Sequence, residues 1–118
     1  MASLTATLLP APTWADCAET ALALVIDETS WPVTITSVVA LPDFETDRGG
    51  VSLTFDARSA RIVGQITTER VGETLAIENE GRLVLKSVLR GPAHGGILEI
   101  RGIDNARAAE IADGLCSG

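Results

Sequence analysis

The chain offers few residues with chemistry in reach. Its one histidine, His94, lies in Gly91-Pro92-Ala93-His94-Gly95-Gly96, and its two cysteines, Cys17 and Cys116, stand near opposite ends. One imidazole with two distant thiols falls short of the usual zinc set. A Ser-His-Asp triad has its residue types but no G-x-S-x-G elbow to present the nucleophile, so His94 reads as a loop residue. Asp43-Phe44-Glu45-Thr46-Asp47 spaces three carboxylates at alternate positions, as a calcium loop begins. Arg48 then stands where that loop needs Gly, and Thr54 where it needs a bidentate acid, so the segment reads as a solvated acidic loop. Glu73, Glu78, Glu80 and Glu99 are the raw material for paired-carboxylate chemistry, but nothing in their spacing sets a working separation. The Gly-rich run joins strand to strand, whereas a phosphate cradle feeds a helix N-terminus. Its better use is a mobile contact loop, with Gly91, Pro92, His94, Gly95 and Gly96 as candidate binding residues. No catalytic set, metal site or cofactor is expected.

The cysteines frame almost the whole chain with no other Cys between them. Such a pair reads as one disulfide, Cys17–Cys116, tying the ends of a domain. Closing so long a loop stabilises by up to about 4–5 kcal/mol in the chain-entropy model and needs Cα atoms within about 7 Å. Two unpaired thiols are the alternative. Residues 1–15 carry no charge, and Thr13-Trp14-Ala15 before Asp16 resembles a small-x-small cleavage site. The expected organisation is therefore a signal-peptide remnant over 1–15 and a single domain over 16–118, with a cytoplasmic tail as the alternative to the remnant. Asp16 directly before Cys17 spoils a lipid-attachment pattern. Export and a disulfide both call for an oxidising compartment, periplasmic or secreted.

A length of 118 residues fits one domain, and 46% apolar residues are enough to build its core. Aromatics make up only 3%, so Ile, Leu, Val and Ala must fill the interior. The formal charge is −7; residues 16–47 hold seven acids and no Lys or Arg, and the rest is balanced. No basic patch suits nucleic acid or an anionic membrane surface. The acidic excess serves solubility, with a basic partner as the sharper reading. No run approaches the roughly 20 apolar residues of a transmembrane helix.

The elements that must position any site follow from periodicity. Ala21–Ile26 reads as a strand, Ser30-Trp31-Pro32 as a turn, and the alternating Val33–Val39 as a second strand. Pro42 to Gly50 reads as a loop. Val51, Leu53 and Phe55 share one strand face. Asp56 caps a helix whose buried face is Ala60, Val63, Gly64, Thr67 and Val71, with Gly64 expected to pack closely on a sheet. Gly72 ends that helix. Strands follow at Glu73–Glu78 and Arg82–Arg90, joined by an Asn79-Glu80-Gly81 turn, and another at Ile97–Arg101. Asp104 caps a last helix with Ala108, Ile111, Ala112 and Leu115 on one face. The order β-β-β-α-β-β-β-α predicts an α+β fold: an antiparallel β-sheet with two α-helices packed on one face.

From Val51 onward the residues resemble a known family. Val51-Ser52-Leu53-Thr54-Phe55-Asp56-Ala57-Arg58-Ser59-Ala60 is similar to the strand-to-helix segment of the head subdomain of SecD, a membrane subunit of bacterial protein export. Ile66-Thr67, Val71-Gly72, Leu75-Ala76-Ile77 and the Glu80-Gly81-Arg82-Leu83-Val84 hairpin continue the likeness. So do Ser87-Val88-Leu89, Gly95-Gly96, Glu99-Ile100-Arg101-Gly102 and Asn105-Ala106-Arg107-Ala108-Ala109-Glu110-Ile111-Ala112. Glu80-Gly81 stands where the family usually has Asp-Gly. The resemblance implies a head-like domain outside the membrane that contacts an emerging polypeptide. SecD's proton-coupled work needs membrane residues, so that role does not carry over.

The function expected is an exported, non-catalytic module that binds a polypeptide or an envelope protein, with strand addition at an open sheet edge as one means. The alternatives are a small exported enzyme or metal-dependent protein built on loops 42–50 and 91–96, and a structural envelope component. Partner identity and oligomeric state are not legible.

Overall fold

The computed structural model describes residues 19–116, without the side chain of Cys116. The signal remnant expected over 1–15 and the Cys17–Cys116 pairing lie outside the described residues.

Six strands and two helices follow in the expected order: β1 (Thr20–Ile26), β2 (Thr29–Leu41), β3 (Arg48–Phe55), α1 (Ala57–Glu69), β4 (Thr74–Asn79), β5 (Arg82–Val88), β6 (Ile97–Asp104) and α2 (Asn105–Cys116). They form one sheet in the order β5-β4-β1-β2-β3-β6, and every pairing is antiparallel. The meander β1–β2–β3 is local. The β4–β5 hairpin then docks on the far side of β1, and β6 on the far side of β3, so β5 and β6 are the two edges.

Period-two alternation aims the core. Leu22, Leu24 and Ile26 of β1, Val33, Ile35 and Val38 of β2, and Val51, Leu53 and Phe55 of β3 are buried, as are Leu75, Ile77, Leu85, Leu98 and Ile100 in the remaining strands. Val63 and Ile66 of α1 and Ala108, Ile111 and Leu115 of α2 join the same cluster. One sheet face therefore carries both helices, and the other carries Thr34, Val39, Ser52, Thr54 and Ala76, half-buried with no described helix over them.

Four local expectations need correction. Ser30-Trp31-Pro32 is no turn: the chain reverses at Asp27-Glu28, where Asp27 takes φ 54°, and all three residues lie in β2. A two-residue reversal makes Ile26–Thr29 a hydrogen-bonded pair, so by alternation Ala23–Pro32 is a non-bonded one. The proline nitrogen therefore faces away from β1, on a flank that β3 does not reach. Pro disfavours helix before it and leaves extended backbone open, which is the option β2 takes.

Gly49 and Gly50 belong to β3, not to the loop before it. A Cβ on Gly49 would overlap the Leu41 carbonyl oxygen, and one on Gly50 the Ile100 carbonyl oxygen. Both neighbouring strands press on this point, where β6 bulges between Arg101 and Ile103. Gly64 does not pack closely, for a Cβ there would meet nothing within 4 Å. Val71 lies beyond the end of α1 and is half exposed, while Ser59 and Ile66 complete the buried face.

Candidate functional site

The start of α1 is built on a polar joint. Asp56 accepts the Ser59 N–H at 2.8 Å as a helix cap, and the Asp56 N–H donates to the Thr34 carbonyl at 3.1 Å. The Thr34 N–H donates to the hydroxyl of Ser59, at 2.8 Å. β3 ends here, so the first turn of α1 takes over the ladder bonds that a longer strand would supply. The Ser59 N–H bond, followed by its hydroxyl, holds the Asp56 carboxyl below its usual value.

The 91–96 loop leaves from β5 and enters β6. The Ala93 N–H donates to the Thr67 hydroxyl at 2.8 Å, and that hydroxyl donates to the Val63 carbonyl at 2.8 Å. Thr67 is fully buried, so it couples the loop to the interior of α1. The Phe55 N–H donates to the Gly96 carbonyl at 2.9 Å, and the Ile97 N–H to the His94 carbonyl at 3.1 Å. Gly96 has φ 76° and stands against Ala60, where a Cβ would come within 3.1 Å of the Ala60 Cβ. Of the candidate residues, Pro92, His94 and Gly95 are exposed, while Gly91 and Gly96 are half-buried.

The acidic loop before β3 is closed on itself. The Asp43 carboxylate accepts the N–H groups of Glu45 at 2.9 Å and Thr46 at 3.2 Å, and these bonds hold its pKa down. Asn105 clamps the loop to α2: its amide oxygen accepts the Asp43 N–H and its amide nitrogen donates to the Asp43 carbonyl, both at 3.0 Å. The Asn105 N–H also donates to the Asp47 carbonyl. Among the described residues no three of His, Cys, Asp or Glu gather closely enough to hold a metal ion.

Loops 42–50 and 91–96 do not form one site. The first joins the start of β3, the second the start of β6, and these strands run antiparallel with Arg48 opposite Asp104 and Thr54 opposite Ile97. The loops therefore sit at opposite ends of the sheet, roughly 20 Å apart by the rise of the strands.

Two concave surfaces flank the edge strand β5. An open groove of about 650 Å³ lies between the β4–β5 hairpin, the start of β1 and α2, with Leu83, Val84, Ile111 and Leu115 as its apolar lining. Arg107 spans its side, donating to the Val84 carbonyl at 2.7 Å and pairing with Glu110 at 3.3 Å. A smaller cleft of about 140 Å³ separates Ser87–Gly91 from Leu98–Arg101, with Leu75 among its lining residues. The sheet thus curls enough to bring the far end of β5 towards the near end of β6. Ser59, Thr67 and Asn105 fasten the start of α1, the 91–96 loop and the acidic loop respectively, and sequence reading missed the role of each. The one signal was Thr67, a polar residue on an apolar helix face.

The family model described as SecDF, P1 head subdomain, matches residues 18–118. A solved structure of SecDF, described as a membrane component that enhances protein export, matches with 34% identity and a TM-score of 0.52. The match covers 71% of this chain and 38% of that one, so the chain spans well under half the length of the chain it matches. No curated protein matches. No described helix is long and apolar enough to cross a membrane.

Proposed function

The chain belongs to the SecDF P1 head subdomain family, and from that premise we propose that it is a non-catalytic module of protein export that binds polypeptide on the periplasmic side. The observation that carries this reading is the sheet order, in which, among the described residues, no strand is hydrogen-bonded to the outer flank of β5 or of β6. An edge strand offers unpaired N–H and C=O groups to any extended chain. Polypeptide in transit is unfolded and can supply such a strand whatever its sequence. The apolar groove beside β5 adds room for alternate side chains.

The test is a photo-crosslinking amino acid placed at Leu83, which is 54% exposed at the groove. Incubated with a reduced, carboxymethylated, permanently unfolded protein, the domain should form adducts, and the folded form of the same protein should give none. Absence of adducts with any unfolded polypeptide overturns the proposal.

A further inference from the structure

The two edges are not equivalent. On β6 the outward-facing Glu99 and Arg101 pair with each other at 2.8 Å, and the Ile97 N–H is taken by the His94 carbonyl. Its far end is broken by the bulge at Gly102. β5 is unlike this. Arg82, Lys86 and the adjoining Arg90 are exposed, none has an ion-pair partner among the described residues, and β5 has no acid. In a chain of net charge −7, this stretch carries three cations and no anion over residues 82–90, with Glu80 at its start and Glu99 across the cleft from Arg90.

The register shows which backbone groups are on offer. The Leu89 N–H donates to the Glu73 carbonyl at 2.9 Å, so by alternation Val88–Thr74 and Lys86–Ala76 are non-bonded pairs. The N–H and C=O of Lys86 and Val88 therefore point away from β4. Their side chains stand on the helix-free face in line with Arg90, and Val88 is 46% exposed. The Val88 carbonyl has one long contact, 3.5 Å from the Ser87 hydroxyl.

We propose that β5 takes up an extended polypeptide segment of acidic-x-apolar-x-acidic pattern, its carboxylates set against Lys86 and Arg90 and its apolar side chain against Val88. This rests on the polypeptide-binding reading above and assigns it an edge and a charge preference. Opposite charges facing across strands stabilise and like charges destabilise. That sign also excludes a second copy, since antiparallel β5–β5 pairing centred on Lys86 sets Lys86 against Lys86 and Arg82 against Arg90.

The test is an NMR titration of the domain with a capped Thr-rich peptide carrying Asp, Val and Asp at alternate places. Amide shifts should be largest at Lys86 and Val88, with smaller ones at Glu99 and Arg101 across the cleft. Lys in place of both Asp should weaken binding about tenfold, from two cross-strand charge pairs. N-methylation of alternate amides on the bonding edge should abolish it. Lys86→Glu, an exposed substitution, should weaken the Asp peptide and tighten the Lys peptide by about fivefold each. Shifts centred on β6, equal binding of the Asp and Lys peptides, undiminished binding of the N-methylated peptide, or no binding at all would each overturn the inference. The crosslinking test with unfolded polypeptide would still stand or fall separately.

Discussion

Asn105 and Asp43 bond to each other twice, side-chain amide to backbone, with both distances at 3.0 Å. Sixty-two positions apart in sequence, they make α2 and the acidic loop one unit. Asn105→Ala should destabilise the domain by about 1 kcal/mol, the worth of ordinary hydrogen bonds at a partly wetted site. Urea unfolding measures this, and hydrogen exchange should show faster loss of the Asp43 and Asn105 amides.

Ser59 carries more. Its hydroxyl is buried and receives the Thr34 N–H, so Ser59→Ala strands a donor at the end of a ladder. The expected loss is about 1–3 kcal/mol. Ser59→Thr keeps the acceptor and separates the hydrogen bond from simple crowding. An alanine variant as stable as the parent would show that water replaces the hydroxyl.

Acid sensitivity has named sources. The carboxyls of Asp43 and Asp56 both titrate below their ordinary value of 3.8, held down chiefly by backbone N–H donors. A carboxyl lowered in the native state contributes stability fully above its unfolded pKa and loses it as pH falls through the native one. Stability should therefore decline as pH drops below about 3.8. Asp56→Asn keeps a capping side chain and removes the titration, so its acid limb in pH-dependent unfolding should be shallower than that of the parent.

The glycines divide sharply. Gly49→Ala and Gly50→Ala each drive a methyl into a backbone carbonyl, and each should cost more than about 3 kcal/mol, beyond ordinary overpacking. Gly64→Ala meets open space in mid-helix and should stabilise by about 0.5–1 kcal/mol. Thermal melts of the three variants order them, and a destabilised Gly64→Ala would contradict the account of α1.

Local signals are legible in the residues themselves. Alternation at Val51, Leu53 and Phe55 marked a strand, Asp56 a cap, and Glu80-Gly81 a turn in which both residues take positive φ. The likeness to the SecD head subdomain carried over to the fold, with both helices on one sheet face. Long-range relations were not legible. Gly49 and Gly50 look like loop residues until Leu41 and Ile100 are seen pressing on them. Thr67 holds the 91–96 loop only because β5 delivers that loop beneath α1. The cations of β5 became a feature only once the strand proved to be an edge, which is a property of sheet order and not of its own residues.

Because β2 outruns β3, its first residues form a short third margin of the sheet, which no described strand pairs on one side. Pro32 stands in that stub with its ring where a donor would be, so an arriving strand finds the row of contacts interrupted. Association by that route is blunted, and any strand the domain recruits is directed to the outer rims. A Pro32→Val change would restore the missing donor and give the molecule a sticky corner, visible as concentration-dependent self-assembly.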